Sequence, residues 1–269
     1  MIRLARGPEP ALLAPIREAE LKRVGDIAAL RAPTSDEIGG RYSKVRSELY
    51  WRQFSKCCFC EHKSQQPYND VEHYRPKAGA DRSPGSIERH GYWWLVWTWE
   101  NLLFSCAACN RSHKRTRFPL KVGSLPLVAN EPPPGGEEPL LIDPFAEDPI
   151  EHIQFRLSSV NSRARWMPFP RQGSEKGRWT INITGLDHPR LFDLYNDHVD
   201  LHVMPRIEVI RSALAGGDSP TIRETWGCET KRLLVAGMPF AALTHDALDH
   251  YVPEATRARF DLVLNRPIG

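Results

Sequence analysis

Two Cys-x-x-Cys pairs, Cys57/Cys60 and Cys106/Cys109, bracket the residues of this chain best suited to chemistry. Between and just after them lie a carboxylate–histidine dipeptide, Glu72-His73, two asparagines, Asn101 and Asn110, and His113. Four cysteines in two such pairs form the ligand set of a tetrahedral structural Zn²⁺ site, whose ligation energy is also folding energy. The insert between the pairs is longer than in a simple zinc ribbon, so it must hold structure of its own. Cys58 and Cys228 fall outside the spacing and read as inert thiols.

The remaining polar residues suit phosphodiester hydrolysis, which needs an aligned water, a base, and a cation to neutralise phosphate and leaving oxygen. His73 has the intrinsic pKa of a base at neutral pH. Val71-Glu72-His73-Tyr74 reads as a strand, so Glu72 and His73 point to opposite faces, one carboxylate toward a metal and one imidazole beside it. Asn101 is placed to bond across the loop and orient the imidazole. Asn110 and His113 share a helix face at i and i+3, and either supplies a second ligand to a catalytic Mg²⁺ or Mn²⁺. Arg75, Lys77, Arg111, Lys114, Arg115 and Arg117 are candidate phosphate contacts, and residues 101–121 contain no Asp or Glu.

These residues need elements to hold them. A helix is expected over 11–30 and a second over 42–55, delivering the chain to Cys57. The aromatic run Tyr92 to Trp99 reads as packing for the small metal core rather than as a base-stacking platform. A Pro/Gly-rich stretch follows over 119–149, interrupted by Leu140-Leu141-Ile142 as a short buried strand. Ile153–Leu157 and Thr180–Ile183 show β-type alternation. From Pro189 the pattern turns helical, with further helices at 221–235, 239–251 and 253–264. The expected organisation is an N-terminal helical region (1–56), a metal core (57–121), a loop and short-strand region (122–185) and a C-terminal helical region (186–269).

With 269 residues, 41% hydrophobic and 26% charged, the chain has the composition of a folded protein. A net charge of +3 is too small to argue for nucleic acid by itself. No apolar run approaches the roughly 18–20 residues of a membrane span. Met1–Arg6 lacks a secretory signal's apolar core, so no membrane association and a cytoplasmic location with reduced thiols are expected.

Glu72-His73, Asn101 and Cys106-x-x-Cys109-Asn110 resemble the HNH endonuclease superfamily. The fuller wording, Cys57-Cys58-Phe59-Cys60, Val71-Glu72-His73-Tyr74-Arg75-Pro76-Lys77 and Asn110-Arg111-Ser112-His113-Lys114, is similar to PtuB-type HNH proteins of Septu and retron-linked anti-phage systems. That resemblance implies an α+β fold: a small ββα-metal core with a four-cysteine zinc site, between N-terminal helices and a mainly helical C-terminal region. It implies His73 as general base, Asn101 as the orienting asparagine, and Glu72 with Asn110 or His113 as ligands of the catalytic ion. It also implies a nucleic-acid substrate, DNA before RNA, and a PtuA-like ATPase partner. Many superfamily members carry Asp where this chain has Glu72. The competing expectation is a catalytically silent zinc module that binds nucleic acid or scaffolds a partner.

Overall fold

In the computed structural model, residues 1–267 are described except 64, 67, 68, 84, 161 and 162. The chain begins with α1 (Leu13–Ala28), which buries Leu13, Ile16 and Val24. A capping box formed by Thr34 and Glu37 opens the single turn α2 (Ser35–Ile38). The helix expected over 42–55 divides into a 3₁₀ turn, Arg41–Val45, and α3 (Arg46–Arg52). Positive φ at Phe54 and Ser55 then turns the chain toward Cys57.

The candidate core is a pair of antiparallel strands, β1 (Asn69–His73) and the later β4 (Leu102–Cys106), in register from Asn69↔Cys106 to His73↔Leu102. Between them in sequence lie the hairpin β2 (Ala80–Ser83) and β3 (Ser86–Glu88) and the aromatic run. Tyr92, Trp93, Trp94, Trp97 and Trp99 are all buried, in keeping with the packing role expected of them. Buried Gln53 acts as a side-chain extension of the sheet: its Nε2 donates to Phe104 O and its Oε1 accepts from Phe104 N, both at 2.8 Å. After β4 the chain enters a π-helical segment, Ala108–Lys114, in which Arg115 N–H bonds Asn110 O five residues back.

The Pro/Gly-rich stretch packs onto this unit. Glu137 is buried and accepts from Arg75 Nε at 2.7 Å and from the Tyr92 hydroxyl. Leu140–Ile142 is buried as expected but forms no strand, because the local pairing is a single bridge between Leu120 and Pro139. A hairpin of β5 (Ile153–Val160) and β6 (Arg163–Pro170) follows. The β-type expectation for Thr180–Ile183 is wrong. Those residues lie in α4 (Glu175–Thr184), which Ser174 caps at its start and left-handed Gly185 closes. The alternation there is too short to distinguish a strand from one helix face.

Helices α5 (Pro189–His198), α6 (Met204–Gly216), α7 (Ser219–Leu233), α8 (Ala241–Tyr251) and α9 (Glu254–Ala258) complete the chain, with a π-helical turn at Val199–Val203 joining α5 to α6. The expected α+β mixture of helices and small sheets is what the described residues form, as three two-stranded sheets among helices. One hydrophobic cluster draws on residues from Met1 to Leu262. Among the described residues, no helix is long and apolar enough to cross a membrane.

Candidate functional site

The four expected cysteines converge. Ligand atoms of Cys57, Cys60, Cys106 and Cys109 all lie within 4.8 Å of one another. The Cys60 and Cys106 sulfurs are 3.9 Å apart. Sulfurs about 2.3 Å from a shared zinc in a tetrahedron lie roughly 3.8 Å apart, so the donor set and its spacing fit that ion. The first pair sits on a turn held by Cys58 N–H to Phe104 O, at 3.0 Å, while Cys106 ends β4 and Cys109 lies on the π-helical segment. Arg190 Nη2 points at the Cys109 sulfur from 3.6 Å, placing a positive charge beside the thiols. Cys58 is buried outside the cluster and Cys228 is exposed.

A cavity of about 360 Å³ is lined by Asp70, Glu72, His73 and Asn110, with Tyr42, Arg46, Lys77, Arg111 and Arg115 around them. The β1–β4 register runs without interruption through His73, so Glu72 and His73 do point to opposite sides of the strand. Both residues nonetheless line the cavity, as does Val71 beside them. His73 Nε2 lies 3.1 Å from Val96 O, and its ring meets Tyr42 edge-on at 4.5 Å between centroids. A carbonyl only accepts, so Nε2 carries the proton and Nδ1 keeps its lone pair. Burial, helped by the nearby Lys77 charge, pushes the His73 pKa down to about 3, so the ring is neutral at physiological pH.

Glu72 is buried and accepts from Lys114 Nζ at 2.6 Å, while the same ammonium donates to His73 O at 2.8 Å. Burial raises the Glu72 carboxyl above its usual range and Lys114 works against that rise. Lys114 is fully buried, which corrects its expected role as a phosphate contact: its charge is spent on Glu72. Arg75 is likewise buried, paired with Glu137, and does not line this cavity. Arg117 donates to the carbonyls of His113 and Ile183 and lies outside this cavity. Lys77 and Arg115 do line it, and Arg111 lines it while paired with Asp70.

Asn101 does not bond the imidazole. Its Oδ1 accepts from Arg75 N–H at 2.7 Å, and its Nδ2 donates to Arg75 O and Leu95 O, both at 3.1 Å. It therefore braces the backbone after His73 against the backbone just before Val96, whose carbonyl holds the ring. His113 is separated from Asn110 because the segment is π-helical, and the i, i+3 rule for a shared α-helical face does not apply. His113 packs instead on His188, 5.1 Å between centroids, and against Gly185. Asn110 is the one of the two that lines the cavity.

The sequence reading passed over Asp70 and Arg46. Asp70 stands two residues before Glu72 on the same strand face, a period-2 signal that was legible, and accepts from Asn110 Nδ2 at 3.1 Å. Arg46 reaches the cavity through the tertiary packing of α3, which no local pattern announces.

Among curated proteins, the chain is similar to the Septu protein PtuB of Bacillus mycoides (strain KBAB4), at 36% identity over 141 residues. The match covers 51% of this chain and 44% of that protein, so the chain spans less than half the length of the curated relative it matches. The similarity supports a PtuB-type relationship across about half the chain. No family model matches the chain, and no solved structure matches it.

Proposed function

We propose that the chain is a metal-dependent phosphodiester hydrolase of HNH type, acting on nucleic acid as an effector of anti-phage defence. The carrying observation is the cavity that His73, Glu72 and Asn110 line together. The β1–β4 pair, the π-helical segment and the four-cysteine cluster hold that cavity together. The likeness to PtuB supports the defence role and a PtuA-like ATPase as partner.

In this reading the Val96 carbonyl fixes the His73 tautomer, so Nδ1 accepts the proton of the attacking water. The water oxygen forms the new bond to phosphorus, the in-line P–O bond breaks, and the leaving oxygen takes a proton from solvent. Glu72 and Asn110 would hold Mg²⁺ or Mn²⁺, which supplies charge neutralisation at the phosphate and leaving oxygen when bound. Lys114 opposes the effect of burial on the Glu72 carboxyl and ties it to the His73 backbone. Asn101 positions and does not touch substrate.

The Glu72–Lys114 pair also favours a second reading, a silent nucleic-acid-binding module, because a cation already partners the carboxylate. Cleavage of plasmid DNA, single-stranded DNA and tRNA by zinc-loaded protein, with Mg²⁺, Mn²⁺ or EDTA, separates the two. Divalent-dependent cutting supports the hydrolase. Binding without cutting, with the ATPase both absent and present, supports the silent module.

A further inference from the structure

Three of the six basic residues that sequence alone offers to phosphate have other partners: Arg75 and Lys114 are buried in ion pairs, and half-buried Arg117 donates to the carbonyls of His113 and Ile183. The cavity nonetheless keeps a cationic wall, and part of it comes from a different element. Arg46, the first residue of α3, lines the cavity together with the strand that carries His73. Its Nε is shielded from solvent and has no hydrogen-bond partner. Among the described residues no carboxylate pairs with its guanidinium, although Arg41 and Arg52 on the same segment are both paired, with Glu20 and Glu48. A shielded guanidinium donor without an acceptor is costly, and it is retained where an anion completes it. Beside it Lys77 is held by a neutral group, the Tyr42 hydroxyl at 2.7 Å, so its charge is uncompensated there. Arg115 is the third cation of the cavity without a carboxylate partner among the described residues, its Nε donating to the Arg111 carbonyl. The two carboxylates of the cavity are already engaged, Asp70 by Arg111 and Glu72 by Lys114.

We infer that Arg46 binds the phosphodiester of the substrate, with Lys77 and Arg115 completing an anion site over His73. The inference rests on the hydrolase reading for the identity of the cavity, and it gives the N-terminal segment a direct part in substrate binding. A planar guanidinium can engage two phosphate oxygens at once, so lysine is a partial replacement and glutamine none.

The test has a binding arm and a cleavage arm. Fluorescein-labelled single-stranded DNA, duplex DNA and single-stranded RNA are titrated in EDTA against wild type, Arg46→Gln, Arg46→Lys and Lys44→Gln, with zinc content and melting temperature checked for each. Lys44 is exposed on the same segment but does not line the cavity, so Lys44→Gln matches the charge change alone. Arg46→Gln is expected to weaken binding of the preferred probe about 10-fold or more and to lower kcat by roughly 10²-fold, with partial rescue in Arg46→Lys. Lys44→Gln is expected to behave as wild type. Wild-type binding by folded Arg46→Gln, or an equal loss in Lys44→Gln, overturns the assignment, as does failure of wild type to bind any probe. Binding that depends on Arg46 without divalent-dependent cutting, with the ATPase both absent and present, sustains the anion site and overturns the hydrolase reading instead.

Discussion

Lys114 shows how little a residue's type says about its use. Its sequence neighbourhood, Arg111 to Arg117, reads as a basic face, yet its ammonium is buried between Glu72 and the His73 carbonyl. Replacing it with alanine leaves an uncompensated carboxylate in the interior, a change that costs about 3–5 kcal/mol in comparable pairs. Lys114→Ala is therefore expected to lower the denaturant midpoint strongly, whereas Arg111→Ala, which removes an exposed guanidinium, costs about 1 kcal/mol or less and barely moves it. Equal midpoints for the two variants would contradict the account of Lys114. The same contrast explains what was legible at this scale. Spacing encodes the cysteines, because a Cys-x-x-Cys turn brings its own two sulfurs together. Charge carries no such information about burial: Arg75 and Lys114 are buried in ion pairs, while Lys77, Arg111 and Arg115 reach the cavity.

At the scale of elements, the site depends on two strands, one π-helical segment and the cysteine cluster that pins their ends. The strand at Val71–Tyr74 and a helical segment after the second cysteine pair were both readable from pattern. The π form was not, since the choice between hydrogen bonds to i−4 and i−5 depends on packing, and it decides that Asn110 rather than His113 faces the cavity. Apparent zinc binding energies of about 10–16 kcal/mol match or exceed the roughly 5–15 kcal/mol stability of a whole domain. Chelation is accordingly expected to unfold the segment from Cys57 to Lys114 rather than only silence it. Hydrogen exchange at Val71, Leu103 and Phe104 should lose its protection together with bound zinc. Retained protection in metal-free protein would assign the strand pair's stability to packing alone.

Across the whole molecule, distant segments close on the cysteine cluster. Glu61 accepts from the backbone N–H groups of Ala241 and Ala242 at the start of α8, and Lys56 joins Glu61 to the Met238 carbonyl. Arg190 reaches Cys109 from α5. These long-range closures are absent from any local sequence pattern, and for that reason only the existence of the C-terminal helices was readable, not their docking. His198 lies within that docked region, buried with Nε2 2.7 Å from Thr244 Oγ1 and its pKa pushed down to about 4 by burial, with His202 adding to the shift. Its unfolded value lies near 6.5, so the unfolded chain takes up the proton first and stability falls as pH drops from about 6.5 toward 4, on the order of 2–3 kcal/mol. Above pH 6.5 the effect is absent. Melting temperatures of wild type and His198→Gln should converge in slope above that pH and diverge below it, with the variant less sensitive to acid. Parallel curves would place the acid sensitivity elsewhere.

The central claim is that His73 is the base of a divalent-dependent phosphodiester hydrolase, and it is tested most directly by one comparison. Wild type and His73→Ala, each shown to be folded and zinc-loaded, are assayed for cleavage of the preferred nucleic acid in Mg²⁺ or Mn²⁺, with the proposed PtuA-like ATPase added. The account predicts a loss of about 10²–10⁴-fold in rate for His73→Ala, the range that general base catalysis supplies. Cleavage by His73→Ala at the wild-type rate would contradict it.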